Sequence, residues 1–322
     1  MKYRDLGATG LSVSEVGFGA WGIGGVGNGA VSYGPTDDEE SKAALRRAFD
    51  LGVTFYDTAD LYGYGHSESL IGGVLKDVRK QIVIASKVGH LGPYGPQDFS
   101  PDHIRRALEG SLRRLQTDYI DLYQLHNPPI EMLRQDERIL GTLGDLQREG
   151  KVRVIGISVR SPEDGLAAVL EFGFRSIQVN FNMVDQRALE NGLMDLFRTR
   201  GVGLVGRTPL CFGFLTGKYS AESQFGSDDH RSAWPAQQIA LWADAGRLFS
   251  SVWPGEACTH AQMALRFCLS YPAVSTVIPG MLSRLQVEEN ILASHAGPLG
   301  EHMRLQIERI YRENRFFIGR SL

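Results

Sequence analysis

Residues 81–126 read QIVIASKVGHLGPYGPQDFSPDHIRRALEGSLRRLQTDYIDLYQLH, and they hold one complete unit of the pattern that decides the fold. The run at 82–87 is short and apolar, the length of a strand rather than a helix. Ser100 is a plausible helix N-cap, and Pro101 sits in the first helical turn, where the missing N–H costs nothing. A helix is expected over 101–115. A second strand-like run follows at 120–126, so the stretch reads strand, helix, strand.

The alternation continues in both directions. Strands are expected at 16–19, 54–57, 152–158, 177–180, 203–207 and 274–278, making eight with the two above. Helices are expected over 37–51, 68–76, 136–149, from a second Ser-Pro start at Ser161-Pro162, then over 187–200, 259–270 and 283–294, with a C-terminal helix in 298–311. Asp164 lies three residues after Ser161, where it can take a capping role. Residues 2–6 and 12–16, separated by 7–10, read as an antiparallel hairpin ahead of the main fold. Eight short strands, almost all separated by helices, define an α/β protein, and the count points to a closed (β/α)8 TIM barrel. A doubly wound sheet is the alternative, because periodicity does not show closure. Against it, the loop after 16–19 is too long and irregular for the G-x-G-x-x-G turn of such sheets. Residues 1–322 are expected to form a single barrel domain. The aperiodic stretch 213–235 suits an active-site cover, or else a surface excursion with no catalytic role.

Composition narrows the function. Lys plus Arg number 34 and Asp plus Glu 37, a net charge of -3 with neutral histidines. That balance gives no field for holding nucleic acid or an anionic membrane, although a local basic patch could still bind phosphate. Cys211, Cys258 and Cys268 are odd in number and lack C-x-x-C spacing, which fits a thiol-reducing compartment. No secretory signal and no long apolar run are apparent, so a cytoplasmic location is expected, with no obligate protein partner evident.

Barrel chemistry sits at the C-terminal ends of the strands. Asp57, Lys87 and His126 end three expected strands, and Tyr62 lies in the loop after the first of them. Together they make a coherent set for proton transfer coupled to hydride transfer. Tyr62 can donate the proton that a reduced carbonyl oxygen needs. A nearby ammonium at Lys87 favours the phenolate and lowers the tyrosine pKa, with Asp57 holding the ammonium. Neutral His126 can donate a hydrogen bond to the substrate oxygen. None of these side chains carries hydride, so the scheme requires an organic redox cofactor. Each also has a structural reading: Asp57 as a cap or ion-pair partner, Tyr62 as loop packing, Lys87 as a counter-charge, His126 as a turn residue. The set is compatible with lyase or epimerase chemistry too. No zinc or other metal site is expected, since His126 lacks an H-x-x-x-H companion and the cysteines are dispersed.

At FYDTADLYGYGHSE, ASKVG and LYQLHNP, and on through IGIS, IQVNFN, TPLCFGFLTGKY and VIPGMLSRLQVEEN, the chain resembles the aldo-keto reductase superfamily, its bacterial-type members above all. The resemblance spans nearly the whole sequence. It implies an extended nicotinamide cofactor lying across the barrel top and assigns Asp57, Tyr62, Lys87 and His126 to the catalytic tetrad. It places Gly19, Ala20 and Trp21 in the first cofactor loop, with Asp57, Ser158 and Gln178 on the nicotinamide side. Leu210, Gly213, Leu215, Gly217 and Lys218 match the pyrophosphate-side loop. Gly280, Ser283, Arg284, Gln286, Glu289 and Asn290 cover the adenosine end. Trp21, Tyr62, Tyr94, His126 and Trp234 are the candidate substrate contacts.

The pattern departs from the family at three places. Val159 stands where Asn is common, leaving Ser158, Gln178 or Asn180 to meet the carboxamide. Arg207 stands where many members stack an aromatic ring on the nicotinamide; its charge would favour the reduced cofactor or an anionic substrate. Gly280 and Gln286 stand where some branches grip a 2′-phosphate, a task open to Arg284. NADP(H) is the favoured cofactor, with NAD(H) the alternative. The implied function is reversible reduction of a small aldehyde, ketone or sugar carbonyl. A sugar or secondary-alcohol dehydrogenase running in reverse, and a nicotinamide-binding regulatory subunit without turnover, are the other readings.

Overall fold

The hairpin comes first. In the computed structural model, which describes residues 1–26, 32–92, 95–252 and 258–319, β1 (Tyr3–Asp5) pairs antiparallel with β2 (Ser12–Ser14). The remaining strands are β3 (Phe18–Gly19), β4 (Phe55–Asp57), β5 (Val83–Val88), β6 (Ile120–His126), β7 (Val152–Ser158), β8 (Ser176–Asn180), β9 (Gly203–Arg207) and β10 (Val274–Ile278). These form one eight-stranded sheet, each strand parallel to its neighbour in chain order. Parallel bridges from Val16 to Val277 and from Gly19 to Gly280 bring its two edges together. The Gly17 N–H donates to the Val277 carbonyl at 2.8 Å and the Gly19 N–H to the Pro279 carbonyl at 3.0 Å. This seam needs glycine: a Cβ on Gly19 would lie 2.7 Å from the Ile278 carbonyl oxygen. The result is the (β/α)8 barrel, flanked by helices and followed by a C-terminal helix, Glu301–Glu313.

Two apolar cores fix the barrel's polarity. Leu6 and Val13 of the hairpin region pack with Phe55, Val83, Leu122, Val154 and Val205 inside the barrel. They plug the end where the strands begin, each full burial contributing roughly 1.5–3 kcal/mol. A larger core lies between sheet and helices. The open end is therefore the one where the strands finish. Asp57, His126, Ser158, Asn180 and Arg207 are the last residues of their strands, and Lys87 the next to last.

Several helices begin where capping chemistry puts them. The Ser100 hydroxyl accepts from the His103 N–H at the head of Pro101–Leu115, and Ser161 accepts from the Asp164 N–H at the head of Pro162–Leu170. The helix expected over 187–200 is instead two, Arg187–Glu190 and Leu193–Arg200. Gly192 between them takes φ +79°, and the Asn191 side chain accepts from the Leu193 N–H, starting a fresh helix. Helices over Ile130–Gln135, Ala236–Ala243 and Ala245–Leu248 lie where none was expected.

Candidate active site

Three strand ends and the loop after β4 bring four side chains together. The buried Lys87 ammonium donates to Asp57 Oδ1 at 2.5 Å, to the Thr58 carbonyl at 2.8 Å and to the Tyr62 hydroxyl at 3.1 Å. Asp57 also accepts from Gln178 Nε2 at 2.6 Å and Gln124 Nε2 at 3.4 Å, so both its oxygens are engaged. Burial works against the Lys87 charge, but Asp57 and Tyr62 outweigh it and the ammonium is held above its ordinary pKa. The His126 ring meets that of Tyr62 edge to face, 6.0 Å between centroids.

Tyr62 is held by backbone. Gly63 takes φ +59°, and a Cβ there would run into the Gly24 carbonyl, so the loop after β4 lies directly on residues 22–24. Burial has the larger hold on the tyrosine pKa, although Lys87 acts in the expected lowering direction. Burial raises it, Lys87 only partly offsets this, and the phenol ends above its ordinary range. His126 is pushed well below the ordinary imidazole value by burial, then by the Lys87 ammonium, with the Arg207 guanidinium adding to it, and is neutral. Its Nδ1 is buried with no partner, which leaves Nε2 as the nitrogen on the cavity side. An orphaned lone pair costs less than an orphaned N–H, so the proton belongs on Nε2.

Asp57, Tyr62 and His126 line a cavity of about 400 Å³, together with Gly19, Trp21, Gln178, Arg207, Trp234 and Gly280. A second cavity of about 280 Å³ is lined by Leu210, Gly213, Lys218, Gln286, Glu289 and Asn290. Tyr33, Thr208, Phe212 and Gly280 line both, so the two form one elongated track. Ala20, Leu215, Gly217, Ser283 and Arg284 line neither. Arg284 is exposed, its backbone N–H donating to Glu40, and so stands off the track rather than on it. The Ser158 hydroxyl donates to the Asn127 side chain at 3.1 Å. Tyr94 lies outside the described residues. The stretch 213–235 reaches residues 32–33: Asp229 bridges to Ser32 and Tyr33, and His230 Nδ1 meets the Ser32 carbonyl at 2.8 Å.

Sequence reasoning passed over several residues of the lining. His90 stands 4.7 Å from the His126 ring, centroid to centroid, and Tyr33, Phe212 and His230 form an aromatic wall with Trp21 and Trp234. His90 was open to the strand-end rule, lying three residues beyond Lys87. The others come from loops whose course no periodicity reveals.

Two residues before Tyr62 lies an acid with a buried oxygen. One oxygen of Asp60 has no partner, and burial first, then Glu68, pushes its carboxyl up to about 8, with Arg114 opposing. Glu68 itself bonds Ser86 at 2.5 Å and Arg114 at 2.7 Å. Asp60 therefore keeps its proton in the folded protein while the unfolded chain ionises near pH 4, so stability falls as pH rises from about 4 through about 8. Asp60→Asn should remove on the order of 3 kcal/mol of that fall. Urea unfolding at pH 5 and pH 8.5 checks it; equal losses in both proteins would discard the reading.

A parallel barrel with an ammonium, a phenol and a neutral imidazole converging at its open end, beside an elongated track, is the arrangement that the resemblance to the aldo-keto reductases implies. Residues 15–312 match the Aldo/keto reductase family, and the chain belongs to it. The structure is similar to that of aldo-keto reductase AKR11C1 from Bacillus halodurans in its holo form, with TM-score 0.79 and 31% identity over 96% of both chains. The NADH-specific methylglyoxal reductase of Escherichia coli (strain K12) is 30% identical over 311 residues, 91% of this chain and 93% of its own. The L-galactose dehydrogenase of Arabidopsis thaliana is 33% identical over 303 residues, 91% and 88%. The protein is a bacterial-type aldo-keto reductase, and its chemistry is NAD(P)(H)-dependent carbonyl reduction.

Proposed function

We propose that Tyr62 is the proton donor to a small carbonyl substrate bound between Trp21, His126 and Trp234. The observation that carries this reading is the Lys87 ammonium bonded at once to Asp57 and to the Tyr62 hydroxyl. His126, neutral and protonated at Nε2, orients the carbonyl oxygen and stabilises the charge that develops on it. Tyr62, its pKa raised, is a full phenol at neutral pH and passes its proton to that oxygen. Lys87 stabilises the phenolate left behind, and Asp57, fixed by Gln178 and Gln124, holds Lys87 on line.

The residues of the track fit an extended dinucleotide. Gly280 leaves the lining open, a Cβ there meeting only Tyr33 at 3.8 Å, and Lys218 brings positive charge to the second cavity, where Arg231 is paired with Asp229. Gln178 and Asn180 would hold the nicotinamide end, Leu210, Gly213 and Lys218 the phosphates, and Gln286, Glu289 and Asn290 the adenosine. When bound, the cofactor supplies the hydride. NADP(H) is favoured, with Lys218 rather than Arg284 as the cation on the lining, and NAD(H) is the alternative that the Escherichia coli relative's name supports. The stretch 213–235 serves as the cover of this track in one barrel domain. The L-galactose dehydrogenase likeness supports hydroxylated, sugar-like carbonyls among the substrates, and three unpaired cysteines support a cytoplasmic location.

Purified protein assayed with NADPH and NADH against aldehydes, ketones and aldoses, and with the oxidised cofactors against alcohols and sugars, tests the reading. Turnover with at least one carbonyl class is expected. Folded protein that binds neither cofactor would end it.

A further inference from the structure

Arg207 ends β9 on the wall of the catalytic cavity with its charge unanswered. Its Nη2 donates to the Val159 carbonyl at 2.9 Å, and its Nε is buried with no partner. Among the described residues no carboxylate stands within ion-pair distance of it. Asp57, the acid on the same lining, is taken up by Lys87, Gln178 and Gln124. His90, His126 and His230 all have their pKa values lowered, so the rings on this lining add no charge of their own. Lys87, Asp57 and Arg207 together leave this end of the site with one surplus positive charge.

A half-buried guanidinium whose Nε is buried without a partner or counter-ion is costly unless a ligand completes it. Its planar fork matches a carboxylate better than any neutral group. We propose that Arg207 receives a carboxylate on the substrate, so that the preferred substrates are aldehydes or ketones that carry an acid group. The proposal rests on the carbonyl-reductase reading of the same cavity and names its substrate class. The ester of such an acid keeps its shape and reacting carbonyl but loses the charge that Arg207 answers.

The test compares three aldehyde acids of different reach, glyoxylate, 4-oxobutanoate and 4-carboxybenzaldehyde, each with its own methyl ester. In the wild-type enzyme kcat/KM for at least one acid should exceed that of its ester by a factor on the order of 10–100. Arg207→Met should bring the ratio close to one, and Arg207→Lys should restore part of it. The wild-type comparison needs no variant, so a poorly folding Arg207→Met leaves the proposal exposed: no acid preferred over its ester overturns it. An acid-to-ester ratio that survives Arg207→Met, with weaker binding of the reduced dinucleotide followed by tryptophan fluorescence, assigns the guanidinium to the cofactor and overturns it as well. Turnover of no aldehyde, acid or ester, would instead be a failure of the reductase reading.

Discussion

Tyr62→Phe is expected to lower kcat for carbonyl reduction on the order of 10³-fold, with the affinity for the reduced cofactor changed by no more than about threefold. The variant deletes one oxygen atom, the one that Lys87 contacts at 3.1 Å, and leaves the ring in its place beside Trp21 and His126. The protonated phenol also sets a pH signature. Because burial raises the Tyr62 pKa above the ordinary phenol range, reduction should run level through neutral pH and decline only on the alkaline side of that range. Oxidation needs the phenolate and should climb steadily with pH over the same interval. Single-turnover rates in both directions, from pH 6 to pH 10, measure this. A loss below tenfold, or an oxidative rate that ignores pH, would remove Tyr62 from the proton path.

Lys87→Met has the second large effect, and it falls on stability as well as rate. The ammonium is wholly buried and is the cationic partner of Asp57, whose carboxylate would be left in the barrel with only amide donors. Breaking a buried pair from one side costs about 3–5 kcal/mol. Adding Asp57→Asn to Lys87→Met should recover much of that stability, because the stranded charge disappears. It should recover none of the activity, since the Tyr62 hydroxyl still lacks its ammonium partner. Urea midpoints and kcat for the two single variants and the double variant close the cycle. Stability that is simply additive would show that the pair is not coupled.

The barrel was legible because its signal is repeated. Apolar runs of strand length alternate with helices, two of which carry a readable start signal, at Ser100-Pro101 and Ser161-Pro162, and one misread boundary changes nothing. The break at Asn191-Gly192 was hidden because a single glycine inside an apolar-periodic run usually interrupts nothing. Asp57, Lys87 and His126 stood out because a strand end is a position that can be counted to in the chain. The sign of the Tyr62 shift did not, since it depends on how much water the fold removes, and that is a property of packing. Gln178 shows the same limit. Its place at the site follows from the resemblance, but its bond to Asp57 joins β8 to β4, and no spacing along the chain encodes that approach. The wall formed by Tyr33, Phe212 and His230 is assembled from two loops nearly 200 residues apart in the chain, and loop paths follow no period.

The seam that joins β3 to β10 bears on how the chain is made. The Gly17 N–H finds its acceptor on Val277, and Arg4 of the hairpin donates to the Val274 and Leu269 carbonyls at 2.9 and 2.8 Å. A ribosome working from the N-terminus must therefore deliver nearly the whole barrel before the first strand has its second neighbour. Until then β3 is an open edge with unpaired backbone groups. Chains interrupted short of residue 280 keep that edge exposed and should be the species that chaperones hold and proteases clear.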